Sequence, residues 1–165
     1  MQTIYLAGGC FWGAQKFFDQ FEGVLETEVG YANGPDRVPS YQDVCHDSGH
    51  AETVRVVYDE AVLPLPKLLS YYFMVIDPLS VNQQGHDRGI QYRTGVYYTL
   101  ESQLPEIQAV FAEEEKKAGA KLAVELMPLQ NFFSAEEYHQ KYLDKNPGGY
   151  CHIPADYLNL KSSRS

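Results

Sequence analysis

The sequence predicts an α+β domain, a two-layer sandwich with helices on one face of a sheet. Two observations carry that expectation. Strand-like and helix-like segments follow one another as strand, helix, strand, strand, helix, strand, with one further helix and strand. The chain of 165 residues, 44% hydrophobic and 21% charged, has the length and composition of one globular domain. At that length roughly 68–70% of the unfolded surface can be buried, so no disulfide staple is needed.

Thr3 to Ala7 reads as a buried strand stopped by Gly8-Gly9. From Cys10 to Phe21, the residues Phe11, Ala14, Phe17, Phe18 and Phe21 share one helical face, and Gly23 ends the helix. Val24 to Tyr31 alternates as a strand. Residues 32–49 carry Asn-Gly-Pro, a second Pro and Asp-Ser-Gly, which marks a long loop of the kind that often serves function. Ala51 to Asp59 is a strand rich in β-branched residues, and Pro66 to Val75 is a helix closed by Pro78. Leu79 to Arg93 is loop-like, Thr94 to Thr99 a strand, Leu100 to Ala118 a long solvated helix, and Val124 to Leu129 another strand. Ser134 is expected to cap a helix reaching about Lys145, broken by Pro147-Gly148-Gly149. The tail from Tyr150 to Ser165 is irregular and expected to wrap the surface. The first six elements match the ferredoxin-like β-α-β-β-α-β order. The whole chain, 1–165, is expected to be a single catalytic domain, with a core over about 3–130 and a C-terminal helix and tail over 134–165.

The net charge of −9 argues against a nucleic-acid or anionic-membrane surface, both of which need clustered Lys and Arg. No apolar run approaches the length of a membrane span. Met1-Gln2-Thr3 leads directly into the first strand without a basic segment, and the three cysteines are an odd count, so the expected setting is cytoplasmic. Zinc is a poor fit, since there is no Cys-x-x-Cys pair and no two of the cysteines lie close enough for a local chelate. A monomer is the simplest assembly.

The chemistry centres on Gly9-Cys10-Phe11-Trp12-Gly13. A thiol at the first turn of a helix meets orphan N–H groups and the positive end of the dipole, which favour its ionised form. Two aromatic neighbours would give it an apolar cup. Core packing would explain the same three residues, since cysteine is among the most buried types, and the local pattern leaves both open. Further polar islands lie in loops or at strand edges: Tyr41 with Cys45, Gly49-His50-Ala51-Glu52, and Gln84-Gly85-His86-Asp87-Arg88-Gly89-Ile90-Gln91-Tyr92. The last is Lys145-Asn146-Pro147-Gly148-Gly149-Tyr150-Cys151.

In order and spacing these islands resemble peptide methionine sulfoxide reductase A over nearly the whole chain. The resemblance implies reduction of methionine-(S)-sulfoxide, free or in proteins, as repair of oxidative damage, with no cofactor. Residue by residue, it makes Cys10 the nucleophile, Phe11 and Trp12 the wall around the S-methyl group, and Glu52 the acid that protonates the sulfoxide oxygen. Tyr41 and Tyr92 match the hydroxyls that bind that oxygen, and Asp87 a polar residue of the same pocket. Cys151 matches the recycling thiol, and thioredoxin or a similar dithiol the reductant. The physics is consistent: a sulfoxide is a poor electrophile until its oxygen accepts a proton, so the site needs a carboxyl that stays neutral near pH 7. Burial against Trp12 and a nearby thiolate would supply that shift.

Three departures from the family pattern, Gln15, Asn33 and His86, touch none of these roles. His50 shares a strand face with Glu52 and could support it, though a satisfied structural histidine is the plainer reading. Cys45 reads as buried and inert, and His139 and His152 as packing or surface. Two other classes stay open: a cysteine hydrolase using Cys10, His50 and Asp87, and a non-catalytic thiol sensor or peptide-binding module.

Overall fold

The computed structural model describes residues 1–35, 39–45, 49–84, 87–146 and 153. Its centre is a mixed sheet. The strands are β1 (Gln2–Ala7), β2 (Val24–Ala32), β3 (Ala51–Tyr58), β6 (Gly95–Tyr98), β7 (Glu125–Pro128) and β8 (Phe132–Ser134), in the order β7-β6-β1-β3-β2-β8. All neighbours are antiparallel except the β6–β7 edge pair. A separate antiparallel pair is formed by the two-residue strands β4 (Gln83–Gln84) and β5 (Asp87–Arg88). The helices are α1 (Phe11–Asp19), α2 (Tyr41–Cys45), α3 (Leu65–Met74), α4 (Leu104–Ala118) and α5 (Tyr142–Lys145).

Strand alternation divides the interior in two. Ile4, Leu6, Val29, Tyr31, Val54, Val56, Tyr58 and Val96 pack with Phe11, Phe17 and Phe18 of α1, with Leu68, Leu69 and Tyr72 of α3, and with Ile107 and Phe111 of α4. The opposite face holds a smaller cluster of Ala7, Ala32, Ala51 and Tyr97, covered by Tyr5, Met127, Leu129 and Phe132. Glu52 has the parity of Val54, which aims it into the helix layer rather than at solvent. Cross-strand, its partner is Tyr31.

Three sequence expectations change. The loop over 32–49 contains the short helix α2, and that over 79–93 contains the β4–β5 pair and a 3₁₀ turn at Ile90–Tyr92. More substantially, Ser134 does not cap a helix. It ends the edge strand β8, paired with Gly30, and its hydroxyl donates to Glu28. The segment beyond is a 3₁₀ turn (Glu137–His139), then Lys141 in the left-handed region at φ 56°, then the single turn of α5. Tertiary bonds outcompete the helix. Glu136 turns to Tyr31 and the Tyr41 amide, while Gln140 donates to the Val29 carbonyl and accepts from the Val29 amide. The Lys141 amide donates to Gln15 of α1. Among the described residues no helix is long and apolar enough to cross a membrane.

Candidate active site

The turn between β1 and α1 is built from two glycines for different reasons. At Gly8 a Cβ would lie 2.7 Å from the Ile76 side chain, so the backbone must pass bare. Gly9 takes φ 73°, and its N–H donates to the Tyr92 carbonyl at 3.2 Å. Cys10 then stands at the N-cap of α1 with extended backbone (φ −66°, ψ 128°), and 6% of its surface is accessible.

Two carboxyls take the first two amides of this helix. The Cys10 N–H donates to Asp87 Oδ2 at 3.3 Å, and the Phe11 N–H donates to Glu52 Oε1 at 3.2 Å. Both are orphan donors that a helix start must satisfy from elsewhere. Residues 42 and 77 positions away from Cys10 along the chain are thereby brought to the backbone at the head of α1. Asp87 is carried by the β4–β5 pair, which is fastened by Gln84: its side-chain amide accepts from the Asp77 N–H at 2.7 Å and donates to the Asp77 carbonyl at 3.0 Å. After Tyr92, the Arg93 guanidinium donates to Glu125, to the Ile90 carbonyl and to the Asn33 carbonyl, fixing the loop to the edge strand β7 and to the end of β2.

Glu52 is 1% exposed, and its second oxygen, Oε2, is buried without a hydrogen-bond partner among the described residues. Burial raises its pKa from 4.5 to about 8. The Phe11 amide opposes the shift, and the charge of Asp87 adds to it. The carboxyl is therefore mostly neutral at pH 7. Sequence reasoning expected the second contribution from the thiolate; in the structure it comes from Asp87.

Aromatic side chains close the site. Trp12 stacks on Tyr142 at 3.9 Å with ring planes 14° apart, and its indole N–H donates to His139 Nδ1 at 2.9 Å. Phe11 lies 5.7 Å from Tyr31 and 5.3 Å from His139, and the Tyr41 ring is 4.4 Å from His139. Tyr41 begins α2, where its N–H donates to Glu136 Oε2 at 3.0 Å while the Tyr31 hydroxyl donates to Glu136 Oε1 at 2.8 Å. Burial works to raise the Glu136 carboxyl, but hydrogen bonds from its own amide, the Tyr31 hydroxyl and the Tyr41 amide, with a smaller contribution from His139, hold it below the usual range.

Cys10, Phe11, Trp12, Tyr41, Glu52, Asp87 and Tyr92 thus form one neighbourhood. Cys151, His86, His152 and the course of the tail lie outside the described residues, as does the side chain of Cys45. His50 is fully buried, with Nε2 2.9 Å from the Pro35 carbonyl and its ring edge-on to Phe133. Sequence reasoning missed Glu136, Tyr31 and His139, which it placed among cap, strand and surface residues. No local pattern distinguishes them from those bland roles.

The family model described as peptide methionine sulfoxide reductase matches residues 2–164. The chain is 58% identical over 153 residues to the peptide methionine sulfoxide reductase MsrA of Lachnoclostridium phytofermentans, covering 92% of each. It is 54% identical over 159 residues to the MsrA of Clostridium acetobutylicum, covering 96% of this chain and 98% of that one. Among solved structures, reduced Mxr1 from Saccharomyces cerevisiae superimposes with a TM-score of 0.87 at 38% identity, covering 93% of this chain and 91% of that one. Mxr1 in complex with Trx2 gives a TM-score of 0.61 at 26% identity, covering 86% and 84%.

Proposed function

The chain belongs to the peptide methionine sulfoxide reductase family, and we propose from its site that it reduces methionine sulfoxide by thiolate attack of Cys10, with Glu52 as the acid. The sulfoxide seats its S-methyl group against Phe11 and Trp12, with its oxygen toward Glu52 and the hydroxyls of Tyr41 and Tyr92. The Cys10 thiolate, favoured at the start of α1, forms a bond to the sulfoxide sulfur as Glu52 gives its proton to the oxygen. The hydroxyl then passes to the Cys10 sulfur and the bond between the two sulfurs breaks. Methionine leaves, Cys10 becomes a sulfenic acid, and Glu52 is left as a carboxylate to be reprotonated from solvent. Two electrons have moved from the cysteine sulfur to the substrate sulfur. Asp87 holds the Cys10 amide and, by its charge, helps keep Glu52 protonated.

In the second half-cycle the Cys151 thiol attacks the sulfenic acid sulfur, water departs, and a Cys10–Cys151 disulfide forms. Thioredoxin reduces it by dithiol exchange, a partner suggested by the Mxr1 complex with Trx2. We read the chain as one catalytic unit of ferredoxin-like type. Supporting that, the segment β1-α1-β2-β3-α3-β6 places its strands in the order β6-β1-β3-β2. A cytoplasmic monomer acting on the S epimer completes the reading.

The observation that carries the mechanism is Glu52: buried, raised to about 8, and one hydrogen bond from the amide that follows Cys10. The test is reduction of separated S and R sulfoxides by wild type and by Cys10→Ser. Wild type should convert the S form alone, and Cys10→Ser neither. Conversion by Cys10→Ser would refute it.

A further inference from the structure

We propose that His139 is the residue that positions the Trp12 indole, and that it does so only as a neutral imidazole, so that acid loosens the aromatic wall of the site. The inference rests on the reading of Trp12 as part of the substrate cup. Three features of the geometry support it.

The first is how the indole is held. Stacking on Tyr142 fixes the plane of the Trp12 ring but leaves it able to slide and turn within that plane. The bond from its N–H to His139 Nδ1 supplies the missing in-plane restraint, and it joins residues 127 positions apart.

The second is the state of the imidazole. A Nδ1 that accepts from the indole must be unprotonated, so the ring proton sits on Nε2 and the ring is neutral. That Nε2 is buried and makes no hydrogen bond among the described residues. An unsatisfied buried polar atom is destabilising, and a phenyl or isobutyl group in the same space would avoid it. An imidazole kept under those conditions is kept for its other nitrogen.

The third is the surroundings. His139 is 1% exposed, ringed by Phe11, Trp12, Tyr41 and Tyr138 at centroid distances of 4.0–5.8 Å. Among the described residues, the ionisable groups about it are Glu136 on its own segment, Tyr138 beside it and Tyr41 from α2. Tyr31 of β2 lies behind Glu136, Tyr142 of α5 lies behind the indole, and Cys10 precedes Phe11 at the start of α1. Desolvation disfavours the charged ring and Glu136 favours it, with desolvation the larger effect. Protonation would turn Nδ1 from acceptor to donor, facing the indole N–H head to head, and the contact would open.

Trp12 is the single tryptophan of the chain, so indole fluorescence reports the surroundings of this one side chain, and the His139 variants isolate the contribution of this contact. The emission of the full chain, in a Cys10→Ser background that removes the thiol, is titrated from about pH 8 to about pH 4, across the histidine range. A transition on the acid side is expected, and it should vanish on adding His139→Asn, whose side-chain oxygen replaces Nδ1 as acceptor but does not titrate. In the Cys10 protein, His139→Leu should raise the half-saturation constant for sulfoxide roughly tenfold, the worth of one hydrogen bond, with little change in the maximal single-turnover rate. His139→Asn should recover most of that loss, and His139→Gln, which reaches toward the Nε2 position, should not. An acid transition that persists with His139→Asn overturns the proposal, as does a wild-type half-saturation constant in His139→Leu. The fluorescence arm needs no substrate. A protein inactive toward sulfoxides would therefore sink the reductase mechanism while leaving this arm to be decided separately.

Discussion

Replacing Glu52 by Gln tests the acid and its electrostatic setting together. The substitution is nearly isosteric. Its side-chain oxygen can still accept from the Phe11 amide, and an N–H group takes the place of an O–H that has no partner among the described residues. What disappears is the transferable proton, so the single-turnover release of methionine should slow by roughly 10²–10⁴-fold, the usual worth of a positioned general acid. Stability should move the other way. With a folded pKa of about 8 against 4.5, the native state binds a proton that the unfolded state has released throughout the interval between those values. Folded stability therefore falls as pH rises from about 4.5 to about 8, by about 1.4 kcal/mol per unit at most. At pH 7 the cost is on the order of 3 kcal/mol. Gln carries no such cost. In a chain of this length Glu52→Gln should then raise Tm by roughly 5–10 °C at pH 7 and scarcely at all at pH 4.5. Scanning calorimetry at the two pH values, beside rapid-quench assay of methionine, reads both effects. A variant with wild-type rate, or one whose Tm gain is the same at both pH values, would refute the reasoning.

The wild-type rate of methionine formation should also fall about tenfold per pH unit above about 8, as Glu52 loses its proton. A flat alkaline profile in pre-steady-state assays would contradict that. Tyr41→Phe and Tyr92→Phe should each slow the reductive step about tenfold, the loss of one hydroxyl donor, leaving the fold intact by circular dichroism; wild-type rates in both would remove the hydroxyls from the site's chemistry. Cys151→Ser should release one equivalent of methionine per protein and then stop with thioredoxin as donor, and sustained turnover by this variant would show that another route resolves the sulfenic acid. Gly8→Ala places a methyl 2.7 Å from the Ile76 side chain, so the β1–α1 turn must shift, at about 1–3 kcal/mol of stability. Urea denaturation checks it, and an unchanged midpoint would mean that Ile76 yields without cost.

Much of the scaffold was legible because its signals are local. Phe11, Ala14, Phe17 and Phe18 recur at helical spacing and do bury one face of α1, and the β-branched run from Thr53 to Val57 is a central strand. The thiol at a helix start was legible too, since Gly8-Gly9 end a strand immediately before it. The segment from Ser134 to Lys145 was misread for an equally physical reason. Ser followed by two glutamates is a good helix start in isolation, but here Ser134 and Glu136 find partners on β2 and α2, and the Lys141 amide finds one on α1; those bonds break the segment into a strand end, a 3₁₀ turn and one helical turn. His139 was missed with it, because its role lies in one nitrogen facing an indole on another element.

Taken alone, the order of residues determined the alternation of strands and helices, the place of Cys10 at the head of a helix, and the set of polar islands from which a site could be drawn. Only the folded arrangement decided what those groups are chemically. Glu52 is an acid rather than a carboxylate because β3 turns it beneath α1, away from water and beside Asp87. A proton's affinity is set by the solvent and charges around it, and those come from segments that are far apart along the chain.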